Sequence, residues 1–138
     1  MEKHHIVFRS QQPALAKCAL NIVELTPEQH RGTYGVHGKY GYKLDKQLKL
    51  KFQNKLEYFL IKEYLSEDEI NEVLNISDRE LRRLLKPLKK YKDKYYREDV
   101  IRACMGGKII IEEWLYESIY NHSVSFSSYS NSNYNCML

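Results

Sequence analysis

Histidine is concentrated at the start of this 138-residue chain, where four of the five histidines lie within the first 37 residues: His4, His5, His30 and His37. Imidazole is the commonest protein ligand for zinc-like metal ions, and its ordinary pKa lets it exchange protons near neutral pH. This segment therefore carries side chains suited to bind a divalent cation and to activate water. Hydrolysis of a phosphodiester needs both, because the water must lose a proton and the leaving oxygen must be stabilised.

The adjacent histidines His4 and His5 open a β-rich segment, HHIVF at residues 4–8. Neighbouring side chains of an extended chain point to opposite sides, so we expect one imidazole to bind a metal and the other to act as general base. A second stretch with β-branched residues, LNIVEL at 20–25, follows an irregular loop. The sequence therefore predicts two short strands that bring the pair next to the following segment.

The next element is predicted to be a short helix that carries His30. Thr26 is a suitable N-cap, Pro27 suits the first helical position, and Glu28 is an acid in the first turn. Glycine then recurs at every third position, at Gly32, Gly35, Gly38 and Gly41. Because this pattern argues against one continuous helix from 27 to 42, His37 is expected on a turn or a short second segment.

Together, HHIVFRSQ, Asn21 within LNIVEL, and HRGTYGVHG resemble the motif of the HNH endonucleases, in particular small proteins of bacteria and phages. The resemblance covers roughly residues 3–38 by the catalytic motif. It continues to about Gly107 through a lysine-rich helix, a helix-turn-helix-like segment and an ending like MGGK. It implies an N-terminal ββα-metal motif and cleavage that leaves a 5′ phosphate and a 3′ hydroxyl.

The resemblance also implies a role for each residue of the motif. His4 would be a metal ligand and His5 the general base, while Asn21 would hydrogen-bond backbone across the loop and keep the base oriented. His30 would be the second ligand and His37 an additional one. One divalent cation, Mg²⁺, Mn²⁺, Zn²⁺ or Ni²⁺, held in this way keeps a position open for water or phosphate.

The net charge of +4 is distributed in blocks. Residues 39–62 carry seven lysines against two acids, residues 63–78 carry six acids and no base, and residues 79–108 carry eleven bases against four acids. Either basic block alone is consistent with a solvated helix face. Together with a candidate phosphodiesterase site, the two blocks indicate DNA as the partner. Arg9 or Arg31 is expected to contact the scissile or a neighbouring phosphate through paired donors.

A strong helix is predicted from Leu44, with lysines on its other faces. Its apolar positions recur at helical spacing: Leu44, Leu48, Phe52, Leu56, Phe59 and Leu60. This apolar face is expected to pack against the small N-terminal unit. Residues 1–62 would then form the HNH motif with its lysine-rich helix.

Residues 63–108 predict a helix-turn-helix-like module. Ser66 begins a capping box, Ser77 or Asp78 caps the second helix, and leucines supply its buried face. Its outward basic residues are expected to bind DNA: Arg79, Arg82, Arg83 and Lys86. KKYKDKYY is predicted to be a loop or a short β-wing, and REDVIRACMGG a final helix that ends at its two glycines. Three-helix bundles show the same periodicity without touching DNA.

The predicted fold class is therefore α+β, with a C-terminal extension at 109–138 that is flexible at its end. No apolar run approaches the roughly 20 residues of a membrane helix, and MEKHHIVFRSQQ contains no secretory signal. The three cysteines are too widely spaced to indicate a disulfide framework or a zinc knuckle. We expect a cytoplasmic protein without a membrane partner.

Three functions are consistent with these patterns. The leading hypothesis is a metal-dependent HNH endonuclease that cuts DNA. The main alternative is a non-catalytic DNA-binding protein or regulator acting through residues 63–108. The third is a structural metal module, in which four histidines hold zinc for folding alone. His5 discriminates between the first and third, since a closed structural site would recruit it as a ligand.

Overall fold

The computed structural model describes residues 1–111, so the predicted flexible end of the chain, within 112–138, lies outside the described residues. The mixed α+β class is confirmed. The strands are β1 (Glu2–His5), β2 (Ile22–Leu25), β3 (Tyr64–Leu65), β4 (Lys90–Tyr91) and β5 (Lys94–Tyr96). The α-helices are α1 (Pro27–Arg31), α2 (Tyr42–Phe59), α3 (Glu67–Leu74), α4 (Asp78–Leu85) and α5 (Arg97–Cys104).

Strands β1 and β2 form an antiparallel pair in which His4 lies opposite Val23 and His5 opposite Ile22. The predicted strand at residues 4–8 was placed too late, since β1 ends at His5. Asn21 supplies the reason. Its side-chain oxygen accepts the Val7 N–H at 2.8 Å and its amide donates to the Val7 carbonyl at 3.0 Å. Backbone groups engaged in this way cannot extend the strand ladder.

Helix α1 begins as predicted. The Thr26 hydroxyl accepts the Gln29 N–H, the Gln29 side chain accepts the Thr26 N–H, and Pro27 occupies the first turn. These reciprocal bonds satisfy two donors that a helix start would otherwise leave unpaired. A stable start matters here because α1 has only five residues and carries His30 in its last turn.

Helix α2 buries Phe52, Leu56 and, just after its end, Leu60. Phe59 was predicted to share this face but is 50% exposed. The buried stripe follows positions four residues apart and continues through Leu60, as predicted, whereas Phe59 lies beside it. Gln53 is also buried; its amide donates to the Ile110 carbonyl at 2.9 Å and its side-chain oxygen accepts the Ile110 N–H at 2.7 Å.

The predicted helix-turn-helix is present as α3 and α4. The Ser66 capping box opens α3, Asn75 ends it in the left-handed conformation with φ of 49°, and the Ser77 hydroxyl caps α4. Within the turn, the Asn71 side chain exchanges two hydrogen bonds with the backbone of Ile76, at 2.9 and 3.0 Å. The angle between the helices is thus fixed by polar contacts as well as by packing.

KKYKDKYY forms a wing, which decides between the two predicted alternatives. Strands β4 and β5 pair antiparallel around Lys92 and Asp93, which adopt positive φ values of 51° and 68°. Such a two-residue turn matches the twist of a tight hairpin. Strand β5 also pairs with β3, giving the order β3-β5-β4. The final helix α5 is followed by Gly106 and Gly107 at positive φ, as predicted.

A single hydrophobic core joins the two predicted units. It includes Ile6 and Leu15 from the N-terminal segment as well as Leu84 and Ile101 from the helices that follow. The Gln12 amide reinforces this connection by donating to the Ala103 carbonyl at 2.7 Å. Within residues 1–111, none of the helices combines the length and apolarity needed to cross a membrane.

Candidate metal centre

Three of the predicted histidines meet at one place in the fold. His4 comes from β1, His30 from the last turn of α1, and His37 from the glycine-containing turns that follow. One nitrogen of each imidazole lies within 4.8 Å of the others, and the ring centroids are 4.9 to 5.3 Å apart. Side chains separated by up to 33 positions are therefore close enough for one cation to contact all three.

His4 is the buried member of this three-histidine cluster, with 3% of its surface exposed. Its Nε2 atom is buried and has no hydrogen-bond partner within the described residues. Burial, together with the charges of neighbouring histidines and Lys49, lowers the pKa of His4 to about 4. The ring is therefore neutral at physiological pH, which is the form that binds metal. A bound cation would satisfy the unpartnered nitrogen, so the donor set fits a metal.

His30 is oriented by an acidic residue that the sequence reasoning missed. Its Nδ1 atom lies 2.7 Å from the Glu2 carboxylate, whose other oxygen pairs with Arg31. The carboxylate can only accept, so Nδ1 carries the hydrogen and Nε2 is left to bind a cation. The hydrogen bond from His30, followed by Arg31, lowers the pKa of Glu2 and keeps it ionised. Strand alternation, which puts Glu2 on the side of His4, was the available signal.

His37 is carried by a chain of tight turns. Gly35 donates to the Gly32 carbonyl at 3.0 Å and Gly38 to the Gly35 carbonyl at 2.8 Å, while the His37 N–H bonds the His30 carbonyl at 3.1 Å. A β-carbon on Gly38 would lie 1.8 Å from the Gly32 oxygen. Only glycine permits this approach, which explains the spacing of three. His37 itself is exposed and marks the open side of the cluster.

An aromatic ring and a buried cation complete the surroundings. The Phe8 ring packs edge-on against His4 at 5.7 Å and lies 5.3 Å from His37. The Lys49 ammonium lies over the Phe8 ring, 4.4 Å from its centroid. The same ammonium pairs with the Asp45 carboxylate at 3.1 Å. Phe8 therefore packs against two of the three histidines, and its ring contact with Lys49 connects the Lys49–Asp45 ion pair to them. Sequence reasoning identified neither Phe8 nor Lys49.

His5 lies outside the three-histidine cluster and has a different partner. Its Nε2 atom is 2.8 Å from the Ala16 carbonyl oxygen. Because a carbonyl only accepts, Nε2 carries the hydrogen, and in the neutral ring Nδ1 is then a proton acceptor. The half-buried imidazole therefore has the tautomer that a general base requires.

Asn21 is fully buried and makes the predicted bonds across the loop. Besides its two contacts with Val7, its amide donates to the Leu15 carbonyl at 3.3 Å. Leu15 immediately precedes Ala16, whose carbonyl holds His5. Asn21 therefore fixes the loop whose Ala16 carbonyl contacts His5, without touching His5 itself.

The predicted DNA-binding residues occupy two regions. Arg9 is exposed on a turn four residues after β1, whereas Arg31 is paired with Glu2. On α4, the predicted basic residues are all exposed: Arg79, Arg82, Arg83 and Lys86. Arg83 lies 3.8 Å from Glu80. A cleft of about 400 Å³ lies between α4 and the wing, and Arg82, Lys86 and Lys90 line it together with Glu67.

Comparisons with models of protein families, with curated proteins and with solved structures found no match to this chain.

Proposed function

We propose that this protein is a metal-dependent endonuclease of the HNH type that hydrolyses DNA phosphodiester bonds. The proposal depends on one observation: the adjacent residues His4 and His5 have different surroundings. His4 shares a cluster with His30 and His37, whose nitrogens lie within 4.8 Å of one another. His5 is engaged by a backbone carbonyl instead and keeps a proton-accepting nitrogen. Metal-assisted hydrolysis needs both parts.

The three imidazoles would hold one divalent cation. Three protein ligands leave a coordination position open, and catalytic sites keep such a position for water or substrate. A phosphate oxygen can enter from the exposed side, where His37 lies. The cation would stabilise charge on the transition state and on the leaving 3′ oxygen. Imidazole ligands suit Zn²⁺ and Ni²⁺ better than Mg²⁺, and Mn²⁺ is a further candidate.

His5 would activate the attacking water. Its Nδ1 takes a proton as the water oxygen bonds to phosphorus, and the bond from phosphorus to the 3′ oxygen breaks. The hydrogen bond from Nε2 to the Ala16 carbonyl persists when the ring becomes charged, and it stabilises the imidazolium. The leaving oxygen is then protonated from solvent, which gives a 5′ phosphate and a 3′ hydroxyl.

The position of His5 also favours catalysis over a purely structural metal module. Structural zinc sites are closed by four protein ligands. Within residues 1–111, the cluster contains three histidines, and His5 is held by Ala16. An open coordination position is of little use for folding but is needed for chemistry.

A plasmid-nicking assay tests the proposal. Wild-type protein is expected to nick supercoiled DNA with a divalent cation and to be inactive in EDTA. His5→Ala should slow nicking by roughly 10²- to 10⁴-fold, the usual contribution of a general base, while metal affinity is unchanged. His122→Ala, a change of the same type far along the chain, is the control. Undiminished nicking by His5→Ala would refute the assigned mechanism.

A second candidate function is a non-catalytic DNA-binding protein or regulator acting through residues 63–108. The observation that favours it is the cleft between α4 and the wing, where three basic side chains face one acid. It predicts salt-sensitive binding in EDTA, since phosphate contacts release counterions. The protein would be tested with each of the four cations in turn. Binding of the plasmid with no nicking in all four cases would favour this function over the nuclease.

A further inference from the structure

Two tyrosines that flank His37 in the sequence are largely exposed. Tyr34 and Tyr40 lie three residues to either side of His37, and they are 71% and 54% exposed. Their rings stack on each other, with centroids 5.6 Å apart and planes inclined by 29°. Aromatic side chains usually bury most of their large surface. Most of the surface of this stacked pair is exposed and therefore available to a ligand.

The backbone beneath these rings is well fixed. Tyr40 donates to the Thr33 carbonyl at 2.8 Å, and the neighbouring Val36 donates to the Gln29 carbonyl at 2.8 Å and is buried. The glycine turns pack so closely that no side chain can replace their hydrogens. The rings are thus carried outwards by an ordered scaffold, and a ligand would bind them at little conformational cost.

Two lysines lie close to Tyr40 in the chain. The Lys39 ammonium is 5.4 Å from the Tyr40 ring centroid, and Lys43 is exposed one turn further on. Of the two acids nearest in sequence, Asp45 is paired with Lys49. The carboxylate of the other, Glu28, lies against Gly32, two residues before Tyr34. Flat aromatic faces next to ammonium groups complement a ligand that combines flat rings with negative charges. Unpaired nucleotides have this composition.

We propose that Tyr34 and Tyr40 form a stacking platform for unpaired bases of the DNA strand next to the scissile phosphate. The inference rests on the proposed function, because it takes His37, between the two tyrosines, to mark where that phosphate binds. Bases inside a duplex cannot offer their faces, which are covered by neighbouring base pairs. The preferred substrate is therefore DNA with a gap, bulge or single-stranded segment at the site of cutting.

Equilibrium binding in EDTA tests the platform without cleavage. Three fluorescent substrates of equal length are compared: a blunt duplex, a duplex with a short single-stranded gap, and the same gapped duplex with abasic nucleotides in the gap. The double variant Tyr34→Leu/Tyr40→Leu keeps apolar volume but removes the aromatic faces. Tyr34→Phe/Tyr40→Phe keeps those faces. Tyr58→Leu removes a tyrosine that is 75% exposed elsewhere, near the end of α2.

Wild-type protein is expected to bind the gapped duplex more tightly than the blunt or abasic one. The leucine double variant should lose at least about fivefold in affinity for the gapped duplex, the lower end for one base stack. The phenylalanine variant and Tyr58→Leu should match wild type, and binding of the blunt duplex should not change. Circular dichroism confirms that each variant is folded.

Three results would overturn the platform: equal wild-type affinity for all three substrates, unchanged gapped binding by the leucine variant, or an equal loss on the blunt duplex. The nuclease proposal is judged separately by nicking. Base-dependent binding by a protein that never cuts would refute the nuclease and leave the platform standing. Cutting without any preference for unpaired bases would refute the platform and leave the nuclease standing.

Discussion

The three-histidine cluster and the cleft between α4 and the wing, called the basic cleft below, differ in burial, in charge and in how far apart their residues lie in the chain. The cluster is partly buried and unites segments far apart in the chain, with His4 neutral at physiological pH. The cleft is exposed and charged, and Arg82, Lys86 and Lys90 come from neighbouring elements. Chemistry needs groups fixed in a low dielectric, whereas attraction of a polyanion acts over a Debye length and tolerates mobile side chains. Substitutions in the cluster should therefore reduce the function of the protein far more than substitutions in the cleft.

The two regions also differ in their effect on the stability of the fold. Within residues 1–111, the Nε2 atom of His4 is buried without a hydrogen-bond partner, and so is the Oδ1 atom of Asp45. Unsatisfied buried polar atoms reduce stability. Exposed lysines and arginines keep their hydration and cost little. A cation bound to His4 would offset this cost, as the proposed metal site predicts.

The largest effect is expected from His4→Leu, which sharpens this contrast. Leucine fills a similar volume and removes the unpartnered nitrogen, so the metal-free protein should be as stable as wild type or up to about 1 kcal/mol more stable. Affinity for Zn²⁺ or Ni²⁺ should fall by more than roughly 100-fold, beyond the usual effect of losing an outer-shell partner. Chemical denaturation and titration calorimetry measure the two quantities.

Arg82→Leu provides the matched control for this experiment, because it introduces the same residue in the cleft and should leave metal affinity unchanged. A marked loss of stability in metal-free His4→Leu would contradict the expectation, since it would make His4 a structural residue. Unaltered metal affinity would remove His4 from the ligand set.

The fold was largely predictable because its signals are local. The Thr26 cap, the Ser66 capping box and the leucines of α4 each act within a few residues, and all were found in the predicted places. The prediction was wrong where tertiary contacts decide. β1 ends early because Asn21 occupies the backbone of Val7. Phe59 is half-exposed because the buried stripe of α2 runs through Phe52, Leu56 and Leu60, and Phe59 lies beside it.

The candidate site was only partly predictable for the same reason. His4, His30 and His37 were identifiable by residue type and order, and they do converge. The groups that surround them have no local signature. Glu2 reaches His30 only because β1 lies beside α1, and Lys49 reaches Phe8 only when α2 packs against the loop. Outer-shell residues depend on the folded arrangement, whereas the histidines are recognisable by type.

An intermediate effect is expected from Glu2→Gln, which tests whether the cluster depends on more than its ligands. Glutamine keeps an oxygen that can accept from His30 but loses the charge that favours the Nδ1–H tautomer. Metal affinity should fall by roughly 10- to 100-fold, measured by competition with a chromophoric chelator. Glu24→Gln, an exposed change on β2, should have no effect. If both variants bind alike, Glu2 does not orient His30.

The smallest effect is expected in the cleft, from Arg82→Ala and Lys86→Ala. Each variant should weaken duplex binding in EDTA and reduce the slope of log affinity against log salt by roughly one for each phosphate that the protein no longer binds. Anisotropy titrations at several salt concentrations measure this slope. Metal affinity should not change. Lys17→Ala removes an exposed lysine outside the cleft and should keep the wild-type slope. An unchanged slope in the two cleft variants would contradict this comparison, because the cleft would then be charged without binding DNA. The exposed lysines of α2 would in that case be the residues that bind the strand reaching the histidines.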